Sequence, residues 1–321
     1  MTRISSQKSD NAALLLADIG GTNARFGVRD GRGRIRFLMS VPTKEIKSLA
    51  CTLKRLCEGS PQHLSGIALG AAGPVRNGRV TLTNAAVSIA AKDVAALTGI
   101  ERVLLVNDLA AVGRAIPHVR KHELRSVVSG VPTPHAPKVI VAPGTGLGHA
   151  VLVPGKFRSW NAVAGEGGHC RFPISVLSEE SALQGLHSLH PSTWEELLSG
   201  RGLAAIYRTK SRGRKDLVPE QITRWALEGN ETACAAVWAF SYLLGSFTQQ
   251  MVLVAGGRAG CFIGGGLVPG LGVLFKKEAF RRGFYAGQFE RGYVAGIPVH
   301  LIITQLAAFR GLAALFDEVH S

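Results

Sequence analysis

An apolar strand that enters a glycine–threonine turn and leaves it as a second strand occurs twice in this chain. In the first copy Ala13–Ile19 (ALLLADI) enters Gly20-Gly21-Thr22-Asn23, and Ala24–Val28 (ARFGV) leaves it. In the second, Lys138–Val141 enters Pro143-Gly144-Thr145-Gly146-Leu147-Gly148, and His149–Leu152 leaves it. A turn followed by a strand departs from the strand–turn–helix of a dinucleotide-binding fold. Two such units predict a duplicated α/β architecture, and 321 residues are about two domains' worth of chain. At 46% hydrophobic and 18% charged residues the chain can bury a sizeable core, which excludes a disordered or fibrous protein.

The rest of the pattern fills in around these units. Arg29-Asp30-Gly31 reads as a hairpin turn into Arg34–Met39, and Thr43–Cys57 as a helix. Ser65–Ala72 is a buried strand, Arg79–Thr83 a short one and Ala90–Leu97 a helix. Val103–Val106 is a strand ending at Asn107-Asp108, followed by a helix over Leu109–Ile116 that Pro117 stops. Helices are expected over Ser178–Leu189, Thr193–Leu198, Gly202–Thr209, Pro219–Leu227 and Glu231–Leu253. Gly260–Ile263 is a strand into Gly264-Gly265-Gly266, Val299–Ile303 a last strand, and Gln305–Phe316 a closing amphipathic helix. The expected division is a mobile tail at 1–12, a small domain of 13–108 plus 304–321, and a large domain of 109–303.

Several function classes fall away. Cys51, Cys57, Cys170, Cys234 and Cys261 form no C-x-x-C pair, so neither a disulfide scaffold nor a structural zinc site is expected. The first residues lack the apolar core of a leader, and no apolar run is long enough to span a bilayer, so a cytoplasmic protein without a membrane partner is expected. Thirty-seven Lys and Arg against 22 Asp and Glu give a net charge of +15, which favours anionic partners. The densest clusters are Arg208, Lys210, Arg212, Arg214 and Lys215, then Lys276, Lys277, Arg281 and Arg282. Neither is interleaved with aromatics, so both read as solvated surface and no nucleic-acid partner is expected.

The glycine turns have a chemistry of their own. Gly20 and Gly21 let the backbone approach an anion, and successive N–H groups with the Thr22 hydroxyl can cradle phosphate oxygens. Asp18 at the strand end can hold a divalent cation through water. No Gly-Lys-Ser/Thr follows, so this is not a Walker loop. A second such turn at 144–148 would let the pair clamp one polyphosphate, and Gly264-Gly265-Gly266 suits a flat adenosine against backbone.

The series ADIGGTNARFGV, LLVNDLAAVGRAIP, APGTGLGHAVLVP, GEGGHCRF and FIGGGLVPGL, in that order from about residue 13 to 317, resembles the bacterial glucokinase family. The resemblance implies a two-domain actin-like ATPase (ribonuclease H-like) α/β fold with a ligand cleft between the domains. It implies ATP-dependent phosphorylation of D-glucose to glucose 6-phosphate, the entry step of glycolysis, with ATP and Mg2+ as cofactors and a homodimer as the assembly. On this chain it makes Asp108 the catalytic base and assigns Asn84, Asn107, Glu166, His169 and Glu195 to the sugar. ATP falls to Ala17, Asp18, Ile19, Gly20, Gly21, Thr22, Gly144, Thr145, Gly146, Gly265 and Gly266, and the Mg2+, through water, to Asp18.

The residue types suit these roles. An acceptor hydroxyl must lose its proton as the new bond forms, and a carboxylate at a strand end can take it. Carboxylates accept from adjacent sugar hydroxyls, and such a site penalises analogues lacking one. Asp108 could equally cap the helix that starts at Leu109, His169 could be a metal ligand beside Cys170, and Glu196 competes with Glu195. The chain departs from the family in reading Val87 where a Trp is usual, Pro143 where a small residue is usual, and Arg258 in a stretch usually uncharged. It also lacks the zinc-binding cysteines of the related ROK kinases. Other readings are a kinase for another hexose or an N-acyl amino sugar, and a non-catalytic sugar-sensing regulator.

Overall fold

In the computed structural model, which describes residues 12–46, 48–82, 88–156, 159–213 and 216–320, β1 (Ala13–Ile19) is buried along almost its whole length. A strand apolar on both faces needs cover on both, and the chain supplies it. β1 pairs antiparallel with β2 (Asn23–Arg29), which pairs with β3 (Ile35–Pro42). Helix α1 (Leu49–Glu58) leads to β4 (Leu64–Ala71), parallel to β1. A two-stranded ribbon, β5 (Arg79–Thr81) with β6 (Ser88–Ala90), precedes α2 (Ala91–Thr98). β7 (Val103–Asn107), parallel to β4, runs directly into α3 (Asp108–Ala115). The sheet order is β3-β2-β1-β4-β7.

Alternation along β1 sorts the two layers. Leu15, Ala17 and Ile19 join Leu53 and Val94 in one core, whereas Leu14 and Leu16 join Ala111, Phe309, Leu312 and Phe316 in another. The C-terminal helix (Ala307–His320) therefore belongs to this unit, which comprises 1–118 and 305–321. Its boundary lies beyond the 108/109 division expected from sequence, because α3 packs on that C-terminal helix and stays with it.

The second unit, 119–304, repeats the plan. β8 (Leu124–Val128) is followed by β9 (Lys138–Pro143), β10 (Leu147–Pro154) and β11 (Trp160–Gly165), the last three in antiparallel succession. Helices α4 (Gly200–Lys210), α5 (Pro219–Leu227) and α6 (Glu231–Ala255) come next, then β12 (Cys261–Ile263). Helices α7 (Leu267–Leu271), α8 (Lys277–Phe284) and α9 (Gln288–Val294) lead to β13 (Val299–Ile302), and the C-terminal helix is α10. The order β11-β10-β9-β12-β13 matches that of the first sheet, with β8 added antiparallel at the edge. Asn230 caps α6 by accepting from the Ala233 N–H, and Gly256 ends it in a left-handed conformation.

Three expectations change. Ser178–Leu189 is a chain of 3-10 turns (Ile174–Ser178, Ser181–Leu183, Leu186–Leu189) in place of a helix, broken by left-handed backbone at Gly185 and His190. Trp194–Leu198 is a turn; Trp194, fully buried between Phe172 and Phe247, holds it. The helix expected from Thr43 starts at Leu49, because the Thr43 N–H donates to Thr22 O and Ser48 supplies the cap. Strands β8 and β11 add to the elements expected from sequence; β11 is an edge strand with half of its residues exposed and none buried. The tail expected at 1–12 falls almost wholly outside the described residues. Among them, no helix is long and apolar enough to cross a membrane.

Candidate active site

In the first unit the parallel strands β1, β4 and β7 end together: Asp18 lies opposite Gly70, and Ala71 opposite Asn107. Ligands of open α/β sheets gather at such carboxyl ends. The turn Gly20–Thr22 is pinned from outside itself. Gly20 N–H donates to Asn23 O at 3.0 Å, and the Thr43 hydroxyl donates to Gly20 O at 2.8 Å. Asp18 keeps 17% of its side chain exposed, 3.7 Å from Arg25 Nη1. Burial pushes its carboxyl above the ordinary value, and Arg25 opposes that rise. Arg25 is legible once the hairpin is counted out, since position 25 falls opposite 18. Thr43 carries no sequence signal.

The cap of α3 is Asn107. Its Oδ1 accepts from Leu109 N–H at 2.9 Å and Ala110 N–H at 3.1 Å, while Nδ2 donates to Gly73 O at 3.0 Å. Its oxygen is thus committed to the helix start, and its NH2 to Gly73 O through one of two hydrogens. Asp108 becomes the first helical residue, with Oδ1 accepting from Leu109 N–H at 2.9 Å, so a carboxylate stands at the end of β7 at the start of a helix. Asn84 lies outside the described residues.

The second unit brings its own expected residues together. Gly264 N–H donates to Val141 O at 2.8 Å, setting the third glycine turn beside the second. A Cβ at Gly265, whose φ is +74°, would lie 2.4 Å from Pro143 O, so only glycine fits. Gly144 N–H donates to Gly146 O at 2.8 Å and Gly200 N–H to Gly144 O at 2.9 Å, which closes the loop around Thr145. Glycine turns paired in this way bring backbone close together, as an anion-binding concavity does.

Glu195 joins this loop to the GEGGH stretch. Its Oε2 accepts from Leu147 N–H at 2.9 Å, its own N–H donates to Gly168 O at 2.9 Å, and Arg201 Nη2 lies 3.5 Å from Oε1. Glu196 is spent locally, accepting from Ser192 N–H at 3.1 Å, so Glu195 is the residue turned toward the site loops. Arg201 went unread. Gly167 and Gly168 are buried against Leu147 and Met251, and this leaves Glu166 and His169 73% and 54% exposed, their side chains 3.9 Å apart. Among the described residues no group of three or more His, Cys, Asp or Glu could hold a metal, so His169 and Cys170 assemble no such cluster there.

The basic clusters are less uniformly solvated than their composition implies. Lys210 Nζ is half-buried and donates to Ala182 O at 2.6 Å, with burial lowering its pKa. Arg282 pairs with Glu180 and lies over the Trp238 ring, while Arg258 lies over that of Tyr293.

Comparisons with known proteins match nearly the whole chain. The family model described as Glucokinase matches residues 15–319. A glucokinase of Chromobacterium violaceum is 35% identical over 312 residues, covering 94% of this chain and 88% of that one. The Bifunctional protein glk of Burkholderia thailandensis is 34% identical over 98% of this chain, which spans 50% of that relative. Among solved structures, a glucokinase from an Antarctic psychrotroph superposes with a TM-score of 0.78 at 26% identity, covering 95% of this chain and 99% of that one. The fold is that of the actin-like ATPases, and the match runs from β1 through α10. On that evidence the chain belongs to the glucokinase family.

Proposed function

We infer that this chain transfers the γ-phosphoryl group of ATP to the 6-hydroxyl of D-glucose, releasing ADP and glucose 6-phosphate, the entry step of glycolysis. What carries the reading is Asp108, a carboxylate at the carboxyl end of a parallel strand, in a chain that matches glucokinases over 15–319. As the 6-oxygen bonds to Pγ and the Pγ–O bond to the β-phosphate breaks, Asp108 takes the hydroxyl proton. Asn107, with one Nδ2 hydrogen on Gly73 O, offers the second to a sugar hydroxyl. Glu166 and His169 offer the second unit's exposed acceptor and donor to the sugar hydroxyls, and Glu195, its Oε2 held by Leu147 N–H, offers its remaining acceptor positions. Asn84 completes the sugar set on the resemblance alone. Apart from the Gly20 and Gly144 N–H groups, which are bonded within their own turns, backbone N–H groups of Gly20–Thr22 and Gly144–Gly146 neutralise phosphate oxygens, and Gly265 and Gly266 receive the adenosine.

The donor set fits Mg2+. A lone carboxylate, Asp18, beside a phosphate-cradling turn suits an ion that keeps several waters and arrives on the nucleotide. When bound, Mg2+ neutralises charge on the β- and γ-phosphates.

The test is a coupled kinase assay across glucose, mannose, fructose and N-acetylglucosamine, with phosphorus NMR of the product. Glucose should give the highest kcat/KM and a 6-phosphate. Preference for an N-acyl amino sugar, or no turnover on any sugar, overturns the reading. The reading includes a cytoplasmic homodimer; light scattering that returns the mass of a single chain contradicts that assembly.

A further inference from the structure

His149 is a buried polar side chain with no use in the mechanism above. It lies in β10 directly opposite Gly165 of β11 and Val141 of β9, 9% exposed. The two residues flanking Glu166 both rest on its ring. A Cβ at Gly165 would come 3.0 Å from His149 Nδ1, and one at Gly167 would come 3.2 Å from its Cβ and Cγ. Met251 of α6 closes the other side, its sulfur 2.8 Å from the same Gly167 position. The imidazole therefore packs against the glycines on either side of Glu166.

That ring is incompletely satisfied. His149 Nε2 is inaccessible to solvent and has no hydrogen-bond partner. Burial also holds the imidazole pKa down, so the ring is neutral and its unmet need is for a hydrogen bond, not a counter-ion. An apolar residue of the same shape would fill the space without stranding a polar atom, and native proteins rarely leave one stranded. Glu166 has a glycine on each side, at 165 and 167, and both lie against His149.

We propose that His149 is a positioning residue for sugar binding, its Nε2 gaining a hydrogen bond when the Glu166–His169 turn takes up its sugar-bound position. The inference rests on the reading of that turn as a glucose site. Forming the bond favours the sugar-bound arrangement, so the ring contributes to affinity without touching the sugar.

Two variants and one spectrum test it. His149→Phe removes the stranded atom and keeps the ring, so the free protein should melt no lower than wild type. Its KM for glucose should rise roughly tenfold while kcat and the KM for ATP stay near wild type. His149→Gln, which keeps a side-chain hydrogen-bonding group, should recover most of the glucose KM. Phe with an unchanged glucose KM overturns the proposal, since the imidazole would then be packing alone. Should the Phe variant not fold, imidazole nitrogen-15 NMR of the wild type decides. The His149 signal should move on adding glucose, and an unmoved signal overturns the proposal. Wild type that does not phosphorylate glucose at all would instead sink the glucokinase reading.

Discussion

At the scale of single residues, two aspartates stand at the carboxyl ends of parallel strands in one sheet. Asp108→Asn keeps the shape at the start of α3 but cannot accept the acceptor's proton. It should lower kcat by about 10²- to 10⁴-fold and leave glucose binding measurable by calorimetry; near-normal kcat refutes the base assignment. Asp18 carries a carboxyl whose pKa is raised by burial, so the folded state holds a proton more tightly than the unfolded chain. Stability from this group is present at low pH and falls as pH rises from the unfolded value of 3.8 through the higher folded value. At pH 7 the charged form is therefore a cost. Asp18→Asn should raise Tm at neutral pH and lose its advantage below about pH 4. The same variant should raise the Mg2+ concentration needed for half-maximal rate. A lower Tm at pH 7 would mean that the Arg25 pair outweighs desolvation.

Between elements, the tightest fit in the first unit is the crossing of α3 and α10. A Cβ at Gly311 would lie 1.7 Å from Ala111 O, which leaves no room for any side chain. Gly311→Ala must push the helices apart and should destabilise the chain by about 1–3 kcal/mol, read as a lower midpoint in urea. Because α3 begins at Asp108, the same change should also lower kcat. Unchanged stability would show that the pair separates freely. This crossing could not be read from sequence: Gly311 looks like a weak point in an amphipathic helix, and its partner lies some 200 residues earlier. The strand–turn–strand units were legible, because apolar runs bounded by Gly-Thr turns leave few alternatives. The region 174–198 was not. Its apolar spacing suited helices, yet the single buried side chains Leu183, Leu186 and Trp194 hold it as turns.

For the whole molecule, the charge of +15 bears on rates and partners more than on fold. ATP is an anion and glucose is neutral. Raising NaCl from about 0.05 to about 0.5 M should increase the KM for ATP severalfold and leave that for glucose nearly constant. Parallel rises in both would mean that salt acts on the protein, not on encounter with the nucleotide.

From the order of its residues alone the chain determined that it would build two related α/β units, that glycine turns would end their leading strands, and that Asp108 would stand at a strand end. Those follow from alternation, turn chemistry and motif order, all local in sequence. Tertiary structure alone decided that Asn107, not Asp108, takes the cap position of α3, that Glu195 anchors the second glycine turn through Leu147 N–H, and that His149 lies stranded against the glycines flanking Glu166. Glu195 meets a backbone group 48 residues away, Asn107 is also tied through Nδ2 to Gly73 O, and His149 Nε2 meets no partner; packing, not local pattern, sets which groups come within reach.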